Sequence, residues 1–356
     1  MRARLSVSLS AIQNNYRHLQ TLCGDVPCAA VVKADAYGLG IEHVAPVLYA
    51  EGARQFFVAL MEEGITLRGL VGNDAEIFVL NGLLPNETEQ MLAHQLIPVL
   101  NNMVSIREWI EKTSVGQNPN QNSCAIQIDT GLNRLGLSSD EWINLDKSSL
   151  NIQLILSHLA CADTPDNILN IAQRQRFAEA VALCPDIRAS LAASDGIFCG
   201  ADFHFDLVRP GAALYGINPI PNRENPMQHV VTLEAPVLAV REVEQDGTIG
   251  YAATRHVAKG QRLAAISIGY ADGFFRSLSN QSHVFFQGGA LPVLGRVSMD
   301  IIMVDISHLP ENVIQAGDYV EILGAKQNAD QLGQGAGTIG YEMLTSLGAR
   351  FIRNYV

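Results

Sequence analysis

From about residue 28 to residue 211, short β-rich apolar runs alternate with segments of helical period. The apolar runs are CAAVVK (28–33), FFVAL (56–60), EIFVL (76–80), LIPVL (96–100), CAIQID (124–129), NIQLILSH (151–158), IRASLAA (187–193) and DLVRPG (206–211). Near-continuous apolar strands separated by helices indicate parallel strands buried on both faces. Eight such units over this length predict an α/β fold of the (β/α)₈ TIM-type barrel class, with an open doubly wound sheet as the alternative.

The helical segments carry their own start signals. Ser10 is placed to cap a helix whose Ile12, Tyr16 and Leu19 share one face. Pro85-Asn86 precedes Glu87, Glu89, Met91 and Leu92, which puts acidic side chains in a first turn. The polar stretch TSVGQNPNQNS (113–123) reads as a surface loop. After the Pro/Asn-rich NPIPNRENP (218–226) the pattern changes to β-rich runs broken by Gly, Asn and Asp, with almost no helical period. A barrel domain over 1–226 and a mainly β C-terminal domain over 227–356 follow, the latter closing on a helix-like tail (337–356). The first strand, 5–9, precedes the barrel count and is free to pair with the C-terminal domain.

Composition narrows the class. A chain of 356 residues with 48% hydrophobic and 17% charged residues has enough apolar surface for a large core. A formal net charge of −12, with no Lys/Arg run, argues against a nucleic-acid partner. Six scattered cysteines (23, 28, 124, 161, 184 and 199) show neither Cys-x-x-Cys pairs nor zinc-type His spacing, so reduced, mostly buried thiols and no metal are expected. The start MRARLSVSLSAIQNN lacks the apolar segment of a signal peptide, and no run reaches membrane-spanning length. The expected location is cytoplasmic.

Candidate chemistry gathers where barrel strands end, since that face carries function in such folds. The polar residues there are Lys33, Asp129, Arg134, His158, Ser194 and Arg209. Taken alone, Val32-Lys33 better fits a strand-end lysine that reaches solvent, and His158 and Ser194 fit a core histidine and a helix cap. Together, a lysine, a histidine and two arginines at one barrel mouth suit an anionic aromatic cofactor and a carboxylate substrate. A partly desolvated lysine supplies the neutral amine that a Schiff base with a carbonyl cofactor requires. Gly211, after Arg209-Pro210, permits close backbone approach, and the turn after an eighth strand is a usual phosphate site. If the cofactor is a pyridine, Arg209 is unusual. A guanidinium cannot accept the ring-nitrogen proton, so the ring is a weaker electron sink, suited to simple proton removal and return. Proton removal from one face and return to the other would need a second acid/base opposite the lysine, and tyrosines occur in TIGY (248–251) and SIGYADG (267–273). A strand tyrosine usually serves packing; one with its pKa lowered beside cations can serve as that base.

The segments LSVSLSAIQNNYRHL, VVKADAYGLG, IDTGLNRLG, SHLACAD, LVRPGAALYGINP, TIGY, ISIGYADGFFR, GRVSMDIIMVD and GTIGYEMLTSLGAR resemble those of alanine racemases, in family order and over nearly the whole chain. The resemblance implies a pyridoxal 5′-phosphate barrel followed by a β domain, paired head-to-tail as a homodimer whose active sites are shared between subunits. Lys33 would hold the cofactor as a Schiff base and act as base toward D-alanine, with Tyr251 of the partner subunit as base toward L-alanine. Arg209 would face the pyridine nitrogen, and His158 would link it toward Tyr251. Tyr37, Ser194, Gly211, Ala212 and Tyr341 would hold the phosphate. Arg134 and the backbone of Met299 would bind the substrate carboxylate, and Tyr270 would line the entrance.

One position departs from the family. Gln127 stands where the family often has a lysine, carbamylated in several members, so Arg134 is expected to be held by Gln127, alone or with an anion such as chloride. Ser298 stands where many members have cysteine, and little consequence is expected. The expected activity is interconversion of L- and D-alanine, which supplies or consumes a peptidoglycan precursor. Alternatives are a serine or broader-specificity racemase, a decarboxylase of the same fold (disfavoured by Arg209) and a non-catalytic pyridoxal-phosphate carrier.

Overall fold

The computed structural model describes residues 2–113 and 122–356. They divide into two units, Ile12–Gln228 and the N-terminal residues through Ala11 with His229–Val356. The chain begins with β1 (Arg4–Val7) and α1 (Leu9–Cys23). Seven further strands follow in the first unit: β2 (Ala30–Val31), β3 (Gln55–Val58), β4 (Glu76–Val79), β5 (Leu96–Leu100), β6 (Ser123–Gln127), β7 (Asn151–Leu156) and β8 (Ala189–Ser190). Between and after them lie α2 (Lys33–Gly38), α3 (Ile41–Ala50), α4 (Met61–Arg68), α5 (Thr88–Ala93), α6 (Met103–Thr113), α7 (Ser139–Asn144), α8 (Ile168–Val181) and α9 (Ser194–Ile197).

Strands β2 to β8 pair in sequence order, every pair parallel. The eighth expected strand, 206–211, is not a regular strand; it closes the ring through parallel bridges Cys28–Val208 and Ala193–Arg209. The Ala29 and Val31 amides donate to the carbonyls of Val208 and Pro210, and the Arg209 amide donates to Ala192 O. Pro210 has no N–H to extend the ladder, which is why closure stays local. Residues two apart along the strands, such as Ala29/Val31, Ile97/Val99 and Leu154/Leu156, form one buried cluster with Phe57, Phe78, Ala125 and Leu207. That is the barrel interior, and the stacked rings of Phe57 and Phe78 lie 4.7 Å apart within it.

Local expectations shift at element ends. The first apolar run yields only Ala30–Val31 as strand, because the chain turns at Lys33. Ser8 rather than Ser10 caps α1, accepting from the Ala11 amide at 3.2 Å, since β1 ends one residue before it. Ile12, Tyr16 and Leu19 are all buried on that helix. The loop expected over 113–123 lies, apart from its ends, outside the described residues.

The second unit holds β9 (Val231–Glu242), β10 (Gly247–Ile249), β11 (Arg255–Val257), β12 (Arg262–Ile266), β13 (His283–Phe286), β14 (Gly289–Leu294), β15 (Ile302–Asp305), β16 (Tyr319–Leu323) and β17 (Ile352–Tyr355). The sheet order β12-β15-β14-β13-β16-β9 closes on itself because β9 also pairs with β12. On β9 lies β1, antiparallel, and on β1 lies β17, parallel. Two helices, α10 (Ala329–Ala336) and α11 (Gly340–Thr345), precede β17. The tail is therefore a short helix ending in a strand, not one helix: β1 presents an open edge that the last residues complete. All six cysteines are unpaired, with Cys23, Cys28 and Cys124 buried. Among the described residues no helix is long and apolar enough to cross a membrane.

Candidate active site

Lys33 is the first residue of α2, directly beyond β2. Its next four residues, Ala34 to Tyr37, have φ of 53–57°, a left-handed turn made without glycine. Side-chain crowding makes that conformation cost about 1–2 kcal/mol per residue. The turn persists because its backbone groups are claimed. The Ala36 amide donates to Val32 O, the Gly40 amide to Asp35 O, the Ile41 amide to the Asp35 carboxylate and the Ala34 amide to Glu63 Oε1. Strain of this size held by surrounding bonds marks a functional segment. Burial lowers the Lys33 pKa; Arg134 and Arg209 lower it further, and Glu63 opposes them.

Arg209 is buried where the closing segment meets β8. Its Nη1 donates to Ser190 Oγ at 2.5 Å and its Nη2 to the Ser157 carbonyl at 2.7 Å. Among the described residues it has no carboxylate partner, and its guanidinium carbon stands 5.8 Å from the Phe57 ring centroid, at the edge of the barrel core. Desolvation alone lowers its pKa to about 10, so it stays charged at neutral pH. His158, two residues past β7, is held by its backbone: Gln173 Nε2 donates to its carbonyl at 3.0 Å. Burial, then Arg209, Arg134 and Lys33, depress its ring to about pKa 3, which leaves it neutral. Both Arg134 and Arg209 thus act electrostatically on Lys33 and on His158.

A polar cradle adjoins them. Ser194, at the start of α9, accepts from the Gly211 amide at 3.0 Å and the Ala213 amide at 3.1 Å. A Cβ on Gly211 would stand 2.4 Å from Tyr37 Oη, so glycine is needed for the phenol to approach this turn. The Tyr37 ring packs at 4.8 Å from Tyr215, whose hydroxyl donates to the Val31 carbonyl at 2.9 Å. Arg134 is exposed on the loop after β6, which Asp129 organises by accepting from the amides of Gly131, Leu132 and Asn133. The Gln127 expectation changes here. Its Nε2 donates to Leu135 O at 3.1 Å, and no hydrogen bond joins Gln127 to Arg134 among the described residues. Through Nε2 the amide ties down the backbone of the loop that carries Arg134, while the guanidinium, a donor only, is not bonded to the amide oxygen among the described residues.

Tyr251, Tyr270, Met299 and Tyr341 belong to the other unit. There the three motif segments converge. Gly269 lets its backbone lie against Ser298 and Met299, with the Tyr270 and Ala271 amides donating to the carbonyls of Ser298 and Met299. Gly250, before Tyr251, approaches the Gly295-Arg296 backbone in the same way. Tyr251 is 72% exposed, and Tyr270 and Met299 are exposed as well. Tyr341 lies half-buried in the first turn of α11. Sequence reasoning missed Ser157, Ser190, Gln173 and Glu63. The first two were visible only as small polar residues within otherwise apolar runs.

Two family models match the chain: the alanine racemase N-terminal domain over residues 7–219 and the alanine racemase C-terminal domain over 230–355. A catabolic alanine racemase of Mesorhizobium japonicum is 47% identical over 359 residues, covering 99% of this chain and 93% of its own. An alanine racemase of Rhizobium meliloti is 43% identical over 371 residues, covering 99% and 97%. The crystal structure of alanine racemase from Bartonella henselae with covalently bound pyridoxal phosphate superposes with a TM-score of 0.94 at 39% identity, over the whole of both chains.

Proposed function

Because the chain belongs to the alanine racemase family, we propose that it interconverts L- and D-alanine with pyridoxal 5′-phosphate as cofactor. The observation that carries the reading is the pairing of Lys33, its pKa lowered at a strand end, with a buried arginine that has only neutral partners. The residues present fit the cofactor. A cationic barrel mouth suits its phosphate and phenolic oxygen. The close packing of Tyr37 on Gly211 next to the Ser194 hydroxyl forms an anion cradle.

In this reading Lys33 holds the cofactor through its ε-amine, and Tyr37, Ser194, Gly211, Ala212 and Tyr341 hold the phosphate. Pyridoxal phosphate, when bound, supplies the electron sink that acidifies the substrate Cα–H. Arg209 would face the pyridine nitrogen and, having no proton-accepting group, would leave it unprotonated. That restrains electron withdrawal to what proton exchange needs. Neutral His158 lies beside Arg209 and carries hydrogen bonding toward Tyr251 of the partner subunit. Lys33 removes or returns the Cα proton on one face, serving D-alanine; Tyr251 of the partner subunit does so on the other, serving L-alanine. Arg134 and the backbone of the partner's Met299 orient the substrate carboxylate, and the partner's Tyr270 lines the entrance. The chain thus acts as a cytoplasmic homodimer with shared sites, supplying or consuming D-alanine for peptidoglycan.

The test is incubation of the purified holoenzyme with L-alanine in deuterated water, following optical rotation and α-deuteration together. Both should proceed in parallel. Bound cofactor without exchange would leave a carrier; carbon dioxide release would indicate decarboxylation. L-serine turned over as fast as L-alanine would indicate the broader racemase.

A further inference from the structure

Glu63 is the third residue of α4, where a glutamate ordinarily satisfies the amides of its own helix start. Its Oε2 does that, accepting from the Ala59 and Leu60 amides at 2.8 and 3.1 Å. Its Oε1 leaves the helix and accepts from the amide of Ala34 at 2.6 Å, the residue that follows Lys33 and opens the left-handed turn. One carboxylate therefore ties two successive βα units together at the point where the lysine is presented. We propose that Glu63 is a positioning residue for Lys33, holding the strained turn in register with α4 and so setting where the amine stands. The proposal rests on the assignment of Lys33 as the residue that holds the cofactor.

Two features support it. Ala34 to Tyr37 contains no glycine, so the turn needs outside partners, and a short charge-assisted bond at its first amide is well placed to provide one. Among the charged groups that act on Lys33, Arg134 and Arg209 oppose its protonation and Glu63 alone favours it, with neutral His158 in the same cluster. An aspartate here would be one methylene too short to reach both sets of amides.

The experiment is borohydride trapping of pyridoxal phosphate on the cofactor-stripped chain, with the Lys33 adduct measured by mass spectrometry against time and pH. Glu63→Ala should trap about tenfold more slowly than wild type, the loss expected for one charge-assisted bond, while Glu63→Gln, whose single amide oxygen can accept at Ala34 or at Ala59 and Leu60 but not at both, should fall between Glu63→Ala and wild type. In Glu63→Gln the pH midpoint of trapping should move down, because the one group that favours the lysine cation is gone while both arginines remain; a role confined to folding would not move it. If Glu63→Ala does not fold, Glu63→Asp keeps the charge but not the span and should also trap more slowly. Trapping at the wild-type rate in Glu63→Ala or Glu63→Asp, or an unmoved midpoint in Glu63→Gln, overturns the proposal. A wild-type chain that is never trapped at Lys33 overturns instead the cofactor assignment on which it stands.

Discussion

Replacing Gly211 by alanine tests whether the cradle is as tightly built as its geometry implies. The new Cβ would meet Tyr37 Oη at 2.4 Å, Tyr37 Cζ at 3.0 Å and Val31 Cβ at 3.2 Å. An ordinary contact needs about 1 Å more at the phenol oxygen. Tyr37 has little freedom to yield: its ring packs on Tyr215 and on the barrel-interior cluster, and its backbone belongs to the left-handed turn. Overpacking of this kind costs about 1–3 kcal/mol. For a unit of this size that lowers the melting temperature of the cofactor-free chain by about 2–4 °C per kcal/mol. A phenol pushed off the phosphate position should also weaken pyridoxal phosphate binding about tenfold for each 1.4 kcal/mol lost. Melting curves and cofactor titration, read by absorbance, give both quantities. Tyr37→Phe removes the nearest atom, so Gly211→Ala combined with it should cost less than the two single changes summed, by about 1 kcal/mol. Gly69→Ala is the control, because its Cβ would meet only Thr66 O at an ordinary 3.4 Å and the φ of −72° suits alanine. It should be neutral or stabilising by about 0.4–1 kcal/mol. Gly211→Ala with unchanged melting and unchanged cofactor affinity would refute the reasoning.

Other consequences are equally open to measurement. Tyr251→Phe should lower L-alanine turnover by about 10²–10⁴-fold, the usual contribution of a positioned acid/base, with cofactor affinity nearly unchanged; wild-type turnover would remove it as the second base. The depressed His158 pKa, about 3 against an ordinary 6.5, means that below pH 6.5 the unfolded chain binds a proton the folded site refuses. Stability from this group is whole above that pH and drains as pH falls toward 3, at a slope approaching about 1.4 kcal/mol per pH unit. Urea unfolding of the cofactor-free chain between pH 7 and 4 should accordingly show a shallower acid decline in His158→Asn than in wild type; parallel curves would contradict the assignment. Arg209 is a buried charge with only neutral partners, so Arg209→Met should leave the cofactor-free chain as stable as wild type or more so while abolishing turnover. A large loss in urea midpoint would show that the guanidinium supports the fold.

Much of the barrel was legible because it is local. Apolar runs such as EIFVL and LIPVL became β4 and β5 almost to the residue, since a strand buried on both faces has no other way to be written. Lys33, His158 and Arg209 could be singled out because polar residues stand out at the ends of such runs. The cap of α1 was misplaced by two residues because Ser8 and Ser10 are chemically equal, and only the end of β1 chooses between them. The final strand was invisible because IRNY has no helical or strand signal until β1 offers it an edge.

What the sequence by itself determined is therefore the order of elements, the apolar faces that bury, and the identity of the polar groups at the barrel mouth. Tertiary structure decided how those groups are held. Little in Ala34-Asp35-Ala36-Tyr37 favours a left-handed turn; it forms because Val32, Asp35 and Glu63 accept the hydrogen bonds that hold it, and Glu63 lies nearly thirty positions away. Ser157 and Ser190 become the partners of Arg209 only once β7, β8 and the closing segment lie side by side. Side-chain period and composition act over a few residues and specify faces. A strained backbone or an uncompensated charge is stable only when distant groups converge on it, and that convergence is a property of the folded ring.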